Sequence, residues 1–156
     1  MDGHPVMVDV SDKSVTRRTA VAEAFLEFEA AGGADLSISE RIQAGSHKGE
    51  AFRVAELAGI MAAKRTSELI PLCHLLPLTH VSVRSSVESA RVRFEATCTT
   101  TAQTGVEMEA LFAAGTAALT LYDMLKSGGH TMQVTGIKLL SKEGGRSGVW
   151  QRTPGQ

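Results

Sequence analysis

Two stretches of the chain carry a helical period. In residues 50–69, Val54, Leu57, Ala58 and Met61 fall at i, i+3, i+4 and i+7 on one face, and Pro71 stops the run. Residues 106–126 are rich in Ala and Leu, with Gly115 the one weak interior point and Ser127-Gly128-Gly129 the terminator. That segment is apolar nearly all round, which predicts a buried helix. Two strands alternate between them. Val81, Val83 and Val87 are set against Ser82 and Arg84; Val92, Phe94, Ala96 and Cys98 are set against Arg91, Arg93 and Glu95. The join at Glu88-Ser89-Ala90 is short enough for a hairpin. Residues 132–140 read as a last strand whose apolar phase shifts around Gly136, predicting a bulge or burial on both faces.

Residues 15–29 satisfy two periods at once. Ala and Glu favour helix, yet Arg18, Ala20, Ala22, Ala24 and Leu26 share one strand face, and propensity does not decide between them. Gly32-Gly33 reads as a turn, Ser37 as the cap of a short helix running to about Ala44, and residues 45–49 as a loop. If the first segment is a strand, omitting the short helix leaves the order β-α-β-β-α-β. The expected fold is therefore α+β, a ferredoxin-like split-βαβ sandwich with an antiparallel sheet and helices on one face. We expect a single domain over residues 1–156, with a loose N-terminal arm (1–14) and a flexible C-terminal tail (143–156).

Composition narrows the function. A chain of 156 residues can bury a substantial core, and 21% charged with 43% hydrophobic residues is ordinary for a globular domain. With 4% aromatics, packing must rely on Ala, Val, Leu, Ile and Met. A net charge of −1 provides no field for non-specific nucleic-acid binding, so an anion site must be a local cluster. No apolar run approaches the roughly 20 residues needed to cross a bilayer. The N-terminus lacks the pattern of a signal peptide, and two cysteines are too few for a disulfide framework. The expectation is a cytoplasmic protein that binds neither nucleic acid nor membrane.

Candidate chemistry gathers at a few places. The run Lys64-Arg65-Thr66-Ser67-Glu68-Leu69-Ile70-Pro71-Leu72-Cys73-His74 ends a helix and delivers a thiol and an imidazole at once. A packed thiol beside a surface imidazole is the plainer reading of that pair. Glu107 and Glu109 open the long helix, where the macrodipole favours acids and where one of the two can face a ligand. Asp123 and Lys126 lie three apart at its other end. They form either a surface ion pair or, if partly desolvated, a proton-transfer pair. Glu109 and Asp123 are 14 residues apart, about 21 Å along a helix. They therefore serve different sites, meet across a subunit interface, or contact distant parts of a long ligand. Lys48 sits in a Gly-bounded loop, while Lys64, Arg65, Arg17 and Arg18 supply further cations suited to phosphate once brought together. His74 suits phosphate or proton transfer. Adjacent Cys73 and His74 make a poor metal site, and no phosphate-cradling or dinucleotide Gly motif occurs. No resident metal or cofactor is expected.

Several strings together resemble the cyclic pyranopterin monophosphate synthase family. They are Met7-Val8-Asp9-Val10-Ser11, His47-Lys48-Gly49, Ala58-Gly59-Ile60 through Thr66, Leu69 to His74, Thr104 to Leu111, Ala117 to Lys126 and Leu139 to Gly148. Ile70-Pro71-Leu72-Cys73-His74 combined with Gly105-Val106-Glu107-Met108-Glu109-Ala110-Leu111 is the specific part. The resemblance implies a step of molybdenum-cofactor biosynthesis. A radical enzyme joins guanine C8 of GTP to its ribose 3′ carbon, and the family rearranges that cyclised dihydro-GTP into cyclic pyranopterin monophosphate, releasing pyrophosphate. It further implies a homohexamer, a trimer of dimers with active sites at the dimer interface. It assigns catalysis to Asp123, Lys126 and Lys48, substrate contact to Leu72, Cys73, His74, Met108 and Glu109, and supporting positions to Lys64, Arg18 and Glu107. Three departures stand out: Leu75-Leu76 before Pro77, His80 in place of a stronger base, and the flexible Ser127-Gly128-Gly129-His130. A metal-assisted nucleotide hydrolase and a non-catalytic nucleotide sensor are the competing readings.

Overall fold

The computed structural model describes residues 3–28, 40, 42 and 50–156. The residues read as a turn at Gly32-Gly33, a cap at Ser37 and a loop holding Lys48 lie outside them. The elements run β1 (Thr16–Glu27), α1 (Ala51–Lys64), α2 (Thr66–Leu69), β2 (Leu78–Glu88), β3 (Arg91–Ala102), α3 (Glu107–Leu125), a 3₁₀ turn (Lys126–Gly128), β4 (Gln133–Glu143) and β5 (Trp150–Gln151).

The ambiguous first segment is a strand at the centre of the sheet, ordered β2-β3-β1-β4-β5 with every pair antiparallel. Tertiary pairing overrides the helical propensity of its Ala and Glu. Thr16 to Glu27 pair residue for residue with Ala102 back to Arg91. Ala20, Ala22, Ala24 and Leu26 point into the core under the helices. On the opposite face Glu23 is buried between Arg93 (2.6 Å) and Lys138 (3.4 Å), and the Arg91 guanidinium lies 3.9 Å over the Phe25 ring. Burial of β1 on both faces is why its pattern is not a clean alternation. Since β3 separates β1 from β2, and β1 separates β3 from β4, each long crossover is a split βαβ unit, in keeping with the ferredoxin-like expectation.

The expected phase shift in the last strand is a bulge. Between the pairs Phe25↔Thr135 and Glu23↔Lys138, β4 uses one residue more than β1. Gly136 absorbs it at φ 59, and a Cβ there would meet the Phe25 ring. Beyond β4 the chain returns through β5, where the Arg152 side chain donates to the Leu139 carbonyl (2.6 Å) and its backbone N–H to that of Leu140 (2.8 Å).

One expectation inverts. The stripe Val54, Leu57, Met61 on α1 is exposed, while Ala51, Ala55, Gly59, Ala62 and Ala63 are buried. Helix α1 approaches α3 so closely that only small residues fit between them. A Cβ on Gly59 would stand 2.8 Å from the Ala113 carbonyl oxygen, 3.0 Å from Val83 and 3.3 Å from Ala117. The predicted single helix over residues 50–69 also breaks at Arg65, where the Thr66 hydroxyl donates to the Ala62 and Ala63 carbonyls, both at 3.1 Å. Among the described residues no helix is long and apolar enough to cross a membrane.

Replacing Gly59 with Ala sets two effects against each other. Helix propensity favours alanine by about 1 kcal/mol, but a clash with backbone cannot be relieved by rotating a side chain. The expected outcome is a net loss of roughly 1–3 kcal/mol, read from the urea midpoint; an unchanged or higher midpoint would show slack in the seam.

Candidate active site

The α1–α3 seam brings the end of one helix to the start of another. Helix α2 closes with the Ile70 N–H on the Thr66 carbonyl (2.9 Å), and Pro71 prevents continuation. A turn follows, the Cys73 N–H donating to the Ile70 carbonyl (3.1 Å). Farther on, the Thr100 hydroxyl holds the Pro77 carbonyl at 2.8 Å, tying this connection to β3. The result is a cleft of about 310 Å³. Leu72, Cys73 and His74 line it from the α2–β2 connection; Glu107, Met108 and Glu109 line it from the first turn of α3. Five predicted substrate contacts and one supporting residue, 30-odd positions apart in the chain, thus share one cleft.

The two acids of that turn occupy different surroundings. Glu109 is only 3% exposed. The Cys73 thiol donates to its Oε1 at 3.8 Å, and its Oε2 is buried with no partner among the described residues. Burial pushes the Glu109 pKa up, opposed by its own backbone N–H and the Cys73 thiol. Burial, and then the nearby Glu109 charge, push the Cys73 thiol up in turn. Cys98, fully buried in β3, is pushed up to about 12, again by burial first. Both thiols are free and burial favours their protonated form, which leaves the Cys73 thiol a hydrogen-bond donor to Glu109.

Glu107 turns back instead of inward. Its carboxylate covers Gly105 so closely that a Cβ there would overlap it, and Lys142 of β4 holds its Oε1 at 3.0 Å. A small hollow behind Gly105 collects Arg18, Thr19, Glu107 and Lys142. Arg18 reaches it across the sheet, donating to the Ala102 (3.1 Å) and Gln103 (3.3 Å) carbonyls. Lys64 does not join this group. It lies at the end of α1 beside His80 in a neighbouring depression of about 460 Å³, and Leu76 forms part of the wall of both.

Asp123 and Lys126 pair at 2.7 Å at the far end of α3, with side chains 61% and 49% exposed. The hydrogen bond and charge of Asp123 raise the Lys126 pKa and keep it an ammonium. This pair is largely exposed and lies a helix length away from Glu109, so the chain does not supply the desolvation considered from sequence. Lys48 lies outside the described residues. Among the described residues no three His, Cys, Asp or Glu side chains converge as metal ligands. Sequence reasoning missed the pairing of Lys142 with Glu107, because the two are 35 positions apart and only the packing of α3 against β4 joins them.

Residues 7–145 match the MoaC family. The cyclic pyranopterin monophosphate synthase of Chloroflexus aggregans is 51% identical over 152 residues, spanning 96% of this chain and 89% of that protein. That of Chloroflexus aurantiacus is 50% identical over 152 residues, spanning 96% and 90%.

The raised Glu109 pKa has a signed consequence for stability. The stability tied to its neutral form is full below the ordinary value of 4.5 and is lost as pH rises through the higher folded value. Glu109→Gln keeps that position neutral throughout. Its stability relative to the parent should therefore climb as pH rises above the ordinary value of 4.5, measured by urea unfolding of both chains. A difference that stays flat or declines above that value would show that Glu109 is not held in a desolvated site.

Proposed function

Since this chain belongs to the MoaC family, we propose that it converts cyclised dihydro-GTP into cyclic pyranopterin monophosphate with release of pyrophosphate, an early step of molybdenum-cofactor biosynthesis. The observation that carries this reading is the cleft in which Leu72, Cys73, His74, Met108 and Glu109 meet, with Lys64 in the neighbouring depression.

The chemistry divides among these groups. The reaction opens the purine ring, builds a pterin ring and closes a cyclic phosphate. A guanine-derived ring presents N–H donors, and the unpartnered Oε2 of Glu109 is a ready acceptor. Leu72 and Met108 supply apolar walls, and the protonated Cys73 keeps Glu109 in place. Lys64, His74 and Arg18 hold the phosphate tail. Closing the cyclic phosphate expels pyrophosphate, whose developing charge needs such cations. Each ring step moves a proton. Lys126, kept cationic by Asp123, is the donor of that pair, and Asp123 the acceptor once the proton is passed on. Lys48 acts with them.

One chain does not bring its two ends of α3 together. Glu109 and Asp123 are separated by about 21 Å along the helix axis, so a complete site uses the first turn of α3 from one subunit and the last turn from another. The assembly is a homohexamer of three dimers, and the exposed stripe Val54, Leu57, Met61 is apolar surface suited to burial between subunits. The substrate comes from the radical enzyme that cyclises GTP, and both free thiols suit the cytoplasm.

Incubation with enzymatically made cyclised dihydro-GTP, followed by mass detection of the pterin and assay of pyrophosphate, tests the reaction directly. Lys126→Ala should lower product formation by at least about 100-fold with the oligomer intact; near-normal turnover removes its role. Mixing subunits carrying Lys126→Ala with subunits carrying Glu109→Gln should restore activity that neither has alone, because mixed dimers regain one intact site. Failure of every such mixture would place both ends of the site in one chain.

A further inference from the structure

The N-terminal arm is folded before β1 begins. The Asp9 carboxylate accepts from the Ser11 N–H (2.9 Å) and from the Ser11 hydroxyl, closing an Asx turn. These bonds, the hydroxyl first, hold the Asp9 carboxyl below its usual range. The Lys13 N–H then donates to the Val10 carbonyl at 3.0 Å. Val6, Met7 and Val8 keep their side chains exposed, so apolar packing does not dock this segment.

Two backbone carbonyls dock it. That of Val8 lies 2.7 Å from His74 Nε2, and that of Ser11 accepts from the Gln103 side-chain amide at 3.1 Å. His74 belongs to one wall of the candidate cleft, and Gln103 immediately precedes Thr104 and Gly105 of the other. The arm thus bridges the two walls, with the Asx turn lying between its two attachment points.

A carbonyl oxygen only accepts, so the 2.7 Å contact requires the proton to be on Nε2. A neutral imidazole holds one ring proton. With that proton committed to Val8, Nδ1 is the unprotonated nitrogen. We propose that residues 8–11 are a positioning segment for His74, whose Val8 carbonyl sets the ring orientation and tautomer so that Nδ1 is the atom that takes a proton from the substrate and, once protonated, donates to its phosphate. Protonation of Nδ1 gives an imidazolium whose Nε2–H bond to Val8 becomes charge-assisted, so the same contact serves both states. The proposal rests on the reading that His74 touches substrate in this cleft.

The test uses the full chain with 15N-labelled histidine rings, His74 being identified by the signal lost in His74→Asn. The neutral ring should show a protonated Nε2 and a bare Nδ1. Asp9→Ala combined with Ser11→Ala unties the turn but leaves every cleft side chain. It should give averaged ring-nitrogen shifts and lower turnover of cyclised dihydro-GTP by roughly 10- to 100-fold, with thermal midpoint and oligomeric state unchanged. A proton on Nδ1 in the parent chain overturns the proposal. So does a double variant that keeps both the ring signature and full turnover. A parent chain with the expected ring signature, lost in the double variant, but with no turnover of this substrate supports the arm–His74 coupling and refutes the assigned reaction instead.

Discussion

The contact between α1 and α3 through Gly59 is the constraint on which the rest of the molecule depends. A helix pair this close admits no side chain at the crossing, since the Ala113 carbonyl lies where a Cβ would be. Small residues on both helices follow from that: Ala51, Ala55, Ala62 and Ala63 on one, Ala110, Ala113, Ala114 and Ala117 on the other. In a core with few aromatics, tight backbone approach substitutes for bulk, because dispersion between close surfaces adds up over many atom pairs. The same approach determines where α1 ends, and hence where Pro71 releases Cys73 and His74 against the first turn of α3. Were the helices held apart by larger residues, the thiol and Glu109 would not meet.

The first turn of α3 then sorts two like residues into unlike roles. Glu107 and Glu109 are two positions apart and so point to different sides of the helix. One folds over Gly105 into a cationic hollow; the other is driven into the protein against a thiol. Separating the environments of neighbouring acids is a general way to give one the work of charge balance and the other that of a hydrogen-bonding group. The rigid rise of the helix separates these groups from Asp123 and Lys126. The result is a stiff rod with ionisable groups at both ends, beside a helix that carries the exposed apolar stripe Val54, Leu57, Met61.

Much of this was legible beforehand, though unevenly. The hairpin of β2 and β3, the bulge at Gly136 and the limits of α3 follow from local signals: alternation, a phase shift beside glycine, a glycine terminator. Residues 15–29 were not decidable locally, because their Ala and Glu fit a helix and their alternate positions a strand. Pairing with β3 and β4 settled it. The α1 stripe misled for a related reason. Periodicity shows that Val54, Leu57 and Met61 share a face but not which face meets α3, and a glycine on the opposite side carries no hydrophobic signal. At the site, the grouping of Cys73, His74 and Glu109 could be suspected from their positions at element ends. The link from Lys142 to Glu107 and that from the Val8 carbonyl to His74 could not, because both join distant segments, the second through a backbone atom that every residue possesses.

What the amino-acid order determined unaided was the set of elements with a strong local period, the turns that glycine and proline impose, and the inventory of reactive groups. These depend on interactions within a few residues. Only the tertiary structure decided which face of α1 is inside, that residues 16–27 are the central strand, and which acid is desolvated and which is ion-paired. Those outcomes depend on distances between segments far apart in the chain and on exclusion of water, and neither quantity exists until the chain is packed.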